Sequence, residues 1–346
     1  MKKVLTILMM GVMLWGCSEE SEQKNSVPEN PLRLSGVTRA PSDVTAATDS
    51  LSPIQIFLMS GLEKTEGNFV YNTTRGEWIS TIGVKELENY VYGFAPAMAA
   101  KGQVRTVTSG ATDYSEGCVM TLDELTAIGG EDLCVVTGVK ADKTPITEVP
   151  EFGTFKFDKQ GTTNYIGLLL DHLYGAIEFK IKVGARYSER RDIWLKKMAL
   201  TSTQAVTQAT VTLKANTTGG NPITDVRYTT AEGEQTNTCY DYGTDPTTTK
   251  GLLLTTEGPR FTSYCAPIAG LDKKLRLVCT YDVYNKKGTR VRENCTAENS
   301  LAGLSGLTIA RGTKSVVNLT VEPTYLYQLS EDELDNPGIK IKVNSE

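Results

Sequence analysis

From residue 53 onward, apolar positions recur at every second residue far more often than at helical spacing. Ile54, Ile56 and Leu58 fall on one side of the chain, and Phe69-Val70-Tyr71 follows Gly67-Asn68. Successive side chains of a strand point to opposite faces, so this period of two reads as β-structure. Residues 72–76 predict a hairpin loop leading into Trp78-Ile79, and the strand at residues 90–94 is stopped by Pro96. Residues 122–127 predict one short helix, the run 133–136 another strand, and residues 152–157 alternate again. The second half is plainer. Ile177, Phe179, Ile181 and Val183 line one face, with Glu178, Lys180 and Lys182 on the other. That is a half-buried strand of an antiparallel sheet. Further strands are predicted at 194–200, 209–215, 252–255, 275–284 and 316–321, separated by connectors such as Thr217-Thr218-Gly219-Gly220-Asn221. Many short strands with turn signals between them predict antiparallel β-sandwiches. The chain length accommodates two, with a boundary near residue 163.

Both ends break this pattern. After Pro323 comes Tyr325-Leu326-Tyr327, then an acidic run at 331–335. A last alternation follows, with Ile339, Ile341 and Val343 against Lys340 and Lys342. A strand set beyond a proline and an acidic spacer is either an edge strand of its own sheet or one offered to another molecule. At the other end, Lys2 and Lys3 precede an apolar stretch from Val4 to Trp15, too short to span a bilayer and patterned as a secretory signal. The stretch closes on Leu14-Trp15-Gly16-Cys17, which resembles a lipobox, so Cys17 is the expected lipidation site. Each methylene buried in a bilayer is worth about 0.8 kcal/mol, and two or three acyl chains give an effectively permanent anchor. Residues 18–22, Ser-Glu-Glu-Ser-Glu, resemble a surface-export signal of Bacteroidales lipoproteins. Residues 23–51 are rich in Pro, Ser, Thr and Asn and read as a tether. Within the tether Leu32 and Leu34 alternate with polar residues, ahead of Val37-Thr38-Arg39-Ala40-Pro41.

Composition narrows the function by exclusion. The 346 residues carry a net charge of −5 and no basic stripe, which argues against a nucleic-acid partner. Beyond Cys17 stand Cys118, Cys134, Cys239, Cys265, Cys279 and Cys295, enough for three disulfides in an exported protein. No CxxC pair occurs and His172 is the lone histidine, so no metal site and no cofactor are expected. Alternation at 275–283 points Cys279 into a core. Asp171-His172 lacks a nucleophile elbow, and the Gly-Gly pairs lack a following Lys-Ser/Thr, so no enzyme activity is expected.

Several segments, in this order and spacing, resemble the fimbrillins, the type V pilin subunits of Bacteroidales. Residues 170–183 resemble the strand that opens the fimbrillin C-terminal domain. Residues 191–200 resemble the strand after it, and residues 309–319 the closing turn and strand. Residues 90–96 and 132–136 resemble parts of the N-terminal domain. The resemblance implies two tandem transthyretin-like β-sandwich domains. The organisation it implies is a signal peptide at 1–16, a lipidated propeptide at 17–39, domains at 40–163 and 164–323, and a C-terminal segment at 324–346. It implies export as a lipoprotein to the outer membrane surface and a cut between Arg39 and Ala40. A strand then leaves, with Leu32 and Leu34 as its candidates, and a strand from another subunit fills the groove, with Ile339, Ile341 and Val343 as candidates. The implied partners are other fimbrial subunits, the outer membrane through the lipid, and a host or bacterial surface ligand. The competing expectation is a glycan-binding surface lipoprotein of an outer-membrane nutrient-uptake system, for which Trp78 and Trp194 would supply platforms.

Overall fold

The computed structural model describes residues 28–39, 52–142, 150–215, 220–244, 250–322 and 337–344. The first strands are β1 (Leu32–Arg39), β2 (Ile54–Ser60), β3 (Glu63–Asn72), β4 (Glu77–Ser80), β5 (Glu88–Ala95), β6 (Lys101–Thr106) and β7 (Gly117–Asp123). Next come β8 (Ile128–Gly129), β9 (Cys134–Asp142), β10 (Lys156–Asp158), β11 (Asn164–His172), β12 (Gly175–Val183) and one helical turn, α1 (Ala185–Ser188). The remainder is β13 (Arg191–Lys214), β14 (Ile223–Asp241), β15 (Leu252–Leu253), β16 (Arg260–Cys265), β17 (Leu275–Asn285), β18 (Arg290–Ser300), β19 (Lys314–Glu322) and β20 (Gly338–Asn344). The chain is all-β, as expected.

The first sheet runs β10-β5-β2-β3-β4-β1-β11-β9, and β9 pairs again with β5 through Val135–Phe94 and Cys134–Ala95. That second pairing closes the path from β5 round to β9 into a barrel. Its interior holds Ile54, Ile56, Leu58, Phe69, Val91, Val136, Ile166, Leu168 and Leu170, together with Leu32 and Leu34. The other face of β2 and β5 presents Phe57, Met59, Tyr92 and Phe94 to a second core. Strands covered on both faces lose clean alternation, which is why β2 reads as a nearly unbroken apolar run.

The second core lies between two more sheets, β20-β19-β12-β16-β8 and β18-β17-β13-β7-β6, with β14 and β15 also paired to β13. Ile177, Phe179, Ile181 and Val183 of β12 share it with Leu195, Leu200, Leu277, Cys279 and Val283. A register shift between Leu195 and Lys197 moves the inward set of β13 from Ile193 and Leu195 to Met198 and Leu200. Phe179 has no exposed surface. Phe179→Ala is expected to lower unfolding free energy by about 3–5 kcal/mol, read as a shift of the denaturant midpoint at unchanged slope.

Two expectations need correction. The helix at 122–127 is absent: Cys118, Met120 and Leu122 are all fully buried at period two within β7, and Glu124 ends the strand with φ 63°. Strands expected separately at 194–200 and 209–215 are one 24-residue strand, β13, which absorbs the gap by register shifts at Ser202/Gln204 and Val206/Gln208. The sheets join strands from both sides of residue 163. Strand β11 pairs with β1 and β9 in the barrel, while β6, β7 and β8 pair into the sheets of the second core.

All six cysteines after Cys17 are free thiols. Burial pushes the Cys239 thiol up to about 11, Cys279 up to about 12 and the Tyr264 phenol up to about 12. These groups stay neutral in the fold at a pH where the unfolded chain already ionises. Their contribution is therefore complete below the unfolded values and is lost as pH rises through the folded ones. The melting temperature is expected to hold between about pH 7 and 8 and to fall steadily above about pH 9. A flat profile to pH 11 in a thermal-melt series would contradict this.

Candidate functional site

Strand β1 belongs to the segment that reads as tether, yet it forms one stave of the barrel. It runs parallel to β11, from Leu32 opposite Asn164 to Arg39 opposite Leu170. A bulge between Leu34 and Gly36 places Ser35 out of register, and its hydroxyl donates to the Ile166 carbonyl at 2.9 Å. The extra residue resets the alternation. Leu32 and Leu34 point inward before the bulge, at 0% and 5% exposure, and Val37 packs on the same core after it. Arg39, two residues beyond Val37, falls on that inward side.

The two edges of β1 are held unequally. Toward β11 the ladder is continuous to Arg39. Toward β4 it consists of one pair, Leu34–Trp78, preceded by the Leu32 amide donating to the Ile82 carbonyl at 2.8 Å. A part-exposed ion pair, Arg33–Glu77 at 3.3 Å, adds little. From Gly36 to Arg39, β1 has a ladder partner on one side only among the described residues.

At the end of β1 the Arg39 guanidinium donates to Asp132 at 3.1 Å. Asp132 is almost fully buried, its side chain 2% exposed against 29% for Arg39. The same carboxylate oxygen sits 2.5 Å from His172 Nδ1 and accepts from the Cys134 thiol at 3.4 Å. Cys134 and His172 are direct partners across β9 and β11, so the sheet register itself builds the cluster. Burial, then the neighbouring Asp132 charge, pushes the Cys134 thiol well up, so the thiol stays protonated. The second oxygen of Asp132 and Nε2 of His172 have no hydrogen-bond partner among the described residues. Asp171 plays no part with the imidazole ring. Its carboxylate takes the Asn221 amide at 2.7 Å and lies 3.7 Å from Arg311.

The ligand atoms of Asp132, Cys134 and His172 lie within 4.8 Å of one another, a donor set of a kind that suits zinc. The absence of a CxxC pair had argued against any such set. It missed this one because the cysteine and histidine are 38 residues apart and meet only through strand pairing. Arg39 already supplies the positive charge beside Asp132.

The other candidates fall elsewhere. Ile339, Ile341 and Val343 lie on β20, antiparallel to β19 at the edge of its sheet and half-buried against the second core. The Tyr281 hydroxyl donates to the Pro337 carbonyl at 2.5 Å, fixing the start of this strand. The tail is thus an edge strand of its own sheet in this chain. Cys17 and Ala40 lie outside the described residues. Trp78 stacks edge-on against Tyr71 at 5.4 Å and packs on the barrel core. Trp194 stands edge-on to Tyr284 with the Lys250 ammonium 5.6 Å from its ring centroid. Among the described residues no helix is long and apolar enough to cross a membrane.

The candidate site is therefore β1, paired along its length with β11 and through one ladder pair with β4, with Arg39 seated on Asp132. No family model matches the sequence, and no curated protein matches it. Solved structures do. A candidate cell adhesion protein from Bacteroides fragilis matches 91% of this chain and 98% of its own at 11% identity, with a TM-score of 0.42. Another from Bacteroides uniformis matches 91% and 96% at 12% identity, with a TM-score of 0.40. A fimbrial protein from Bacteroides vulgatus matches 91% and 98% at 12% identity, with a TM-score of 0.37.

Proposed function

We propose that this chain is a structural subunit of a cell-surface fimbria, exported as a lipoprotein through Cys17, released by a cut after Arg39 and assembled by strand exchange. The observation that carries this reading is β1. It is an N-terminal strand that ends at Arg39, fills the barrel with Leu32 and Leu34, and has almost no ladder on one edge. Removing it would leave a groove lined by Phe69, Ile82, Ile166 and Leu168 between β4 and β11. An open groove of that kind binds a strand whose backbone completes the ladder and whose alternate side chains fill the floor. Strand β20 offers the same alternation from the other end of the chain, with Ile339, Ile341 and Val343 half-exposed at a sheet edge. Its partner would be another fimbrial subunit.

The two transthyretin-like units of a fimbrillin are proposed here in redrawn form. One is the barrel closed by β1, β9 and β11. The other is the sandwich of the remaining sheets, which borrows β6 to β8 from the first half of the chain. Glycan capture draws no support from the tryptophans, since Trp78 is packed on the barrel core and Trp194 is flanked by Tyr284 and Lys250.

The test is N-terminal sequencing of the protein recovered from the cell surface. A mature start at Ala40 is expected. A chain that retains lipidated Cys17 throughout would refute release and leave an anchored lipoprotein.

A further inference from the structure

Given the proposed cut after Arg39, on which this inference rests, the surroundings of that arginine take on a second role. Hydrolysis adds water across the Arg39–Ala40 peptide bond, leaving a carboxylate on Arg39 and an amine on Ala40. An endopeptidase that reads arginine needs two things at once. The chain around the scissile bond must be extended and free of its ladder, and the guanidinium must enter an acidic pocket of the peptidase. In the folded precursor neither condition holds. The Arg39 backbone is paired with β11, and its guanidinium is already seated on Asp132 at 3.1 Å.

We infer that Asp132, braced by His172 and Cys134, is a latch that holds Arg39 closed against cleavage and sets the rate at which the precursor is processed. Four observations converge on it. Arg39 sits on the inward side only because of the bulge at Ser35, which turns it toward Asp132. Among the described residues, 36–39 have no ladder on the β4 side, and the β11 ladder, the Val37 contact and the ion pair hold them. Asp132 is a buried carboxylate, and withdrawing its cation leaves an uncompensated charge, which opposes opening. The carboxylate is itself fixed: the Cys134 thiol donates to the oxygen that Arg39 uses, and His172 Nδ1 lies 2.5 Å from that oxygen. Asp132 is a positioning residue here. It acts on the substrate arginine of another enzyme's reaction and catalyses nothing.

The experiment uses the full-length purified chain and trypsin, a peptidase of general arginine and lysine specificity, with fragments timed by mass spectrometry. Asp132→Asn keeps the shape of the side chain and an acceptor for the ring while removing the charge. Cleavage after Arg39 is expected to be about tenfold faster in this variant, a modest share of a fully buried pair because Arg39 is part-exposed. Cuts at other sites are expected at wild-type rates. Equal rates after Arg39 in variant and wild type would overturn the latch. Arg39→Gln supplies a second readout that does not depend on the Asp132 variant folding. Amide exchange at residues 36–39 should quicken about tenfold while the rest of the barrel keeps its protection, and unchanged exchange there would overturn the latch as well. Neither assay requires that cells cut at Arg39. A latch that fails is therefore told apart from a processing model that fails in the N-terminal sequencing above.

Discussion

Replacing Leu32 and Leu34 together by alanine is expected to undock β1 while the second core stays folded. Both leucines are buried in the barrel, and each buried Leu→Ala exchange costs about 2–5 kcal/mol. They lie two residues apart on one face, so the costs need not add, and a combined loss of about 4 kcal/mol or more is expected. The loss concentrates on β1 because this strand enters from a terminal segment and has one full ladder, not two. The predicted signature is local. Amides of β1 and of β11 facing it exchange orders of magnitude faster, a hydrophobic dye binds the opened groove, and β12, β13 and β17 keep their protection. Exchange in β1 as slow as in the wild type would mean that the leucines do not hold the strand.

Ile341→Pro is expected to separate folding from assembly. Among the described residues, strand β20 is an outer strand, paired with β19 along one edge, with Ile341 opposite Leu319. A proline there removes one backbone donor and costs the monomer a few degrees of melting temperature at most. A strand seated in the groove left by β1 has a neighbour on each side, β4 and β11, and needs its donors on both edges. Proline is excluded from such central positions. The variant should therefore be recovered as a folded monomer that forms no multimers. Multimers at wild-type yield would exclude β20 as the exchanged strand.

How much of this could be read in the sequence follows from what each segment is packed against. Residues 177–183 alternate cleanly because β12 has one covered face, and the structure places every one of the expected inward residues in the core. The region 201–208 was less legible. Bulges in β13 keep the strand going through Thr203-Gln204 and Thr207, where the apolar pattern lapses. Strand β14 was not legible for a different cause: it is mostly exposed and its middle is built from Thr, Glu and Gln, with only Ile223, Val226, Tyr228, Cys239 and Tyr240 packed partly against the second core. In the tether, the Leu32/Leu34 pair was visible as a strand-like patch, but its parallel place beside β11 was not. The Asp132–Cys134–His172 cluster was the least legible part. Both flanking segments could be read as strands, but only the register that sets His172 against Cys134 makes a site of them.

The most direct test of strand-exchange assembly is the apparent size, on an unheated gel, of protein recovered from cells expressing the wild type or Arg39→Ala. Wild-type protein is predicted to give a ladder of multimers that collapses to monomer on heating, and Arg39→Ala a single monomer band retaining the N-terminal segment. An equal ladder from Arg39→Ala, or no ladder from the wild type, would contradict the assembly of this chain by release of β1.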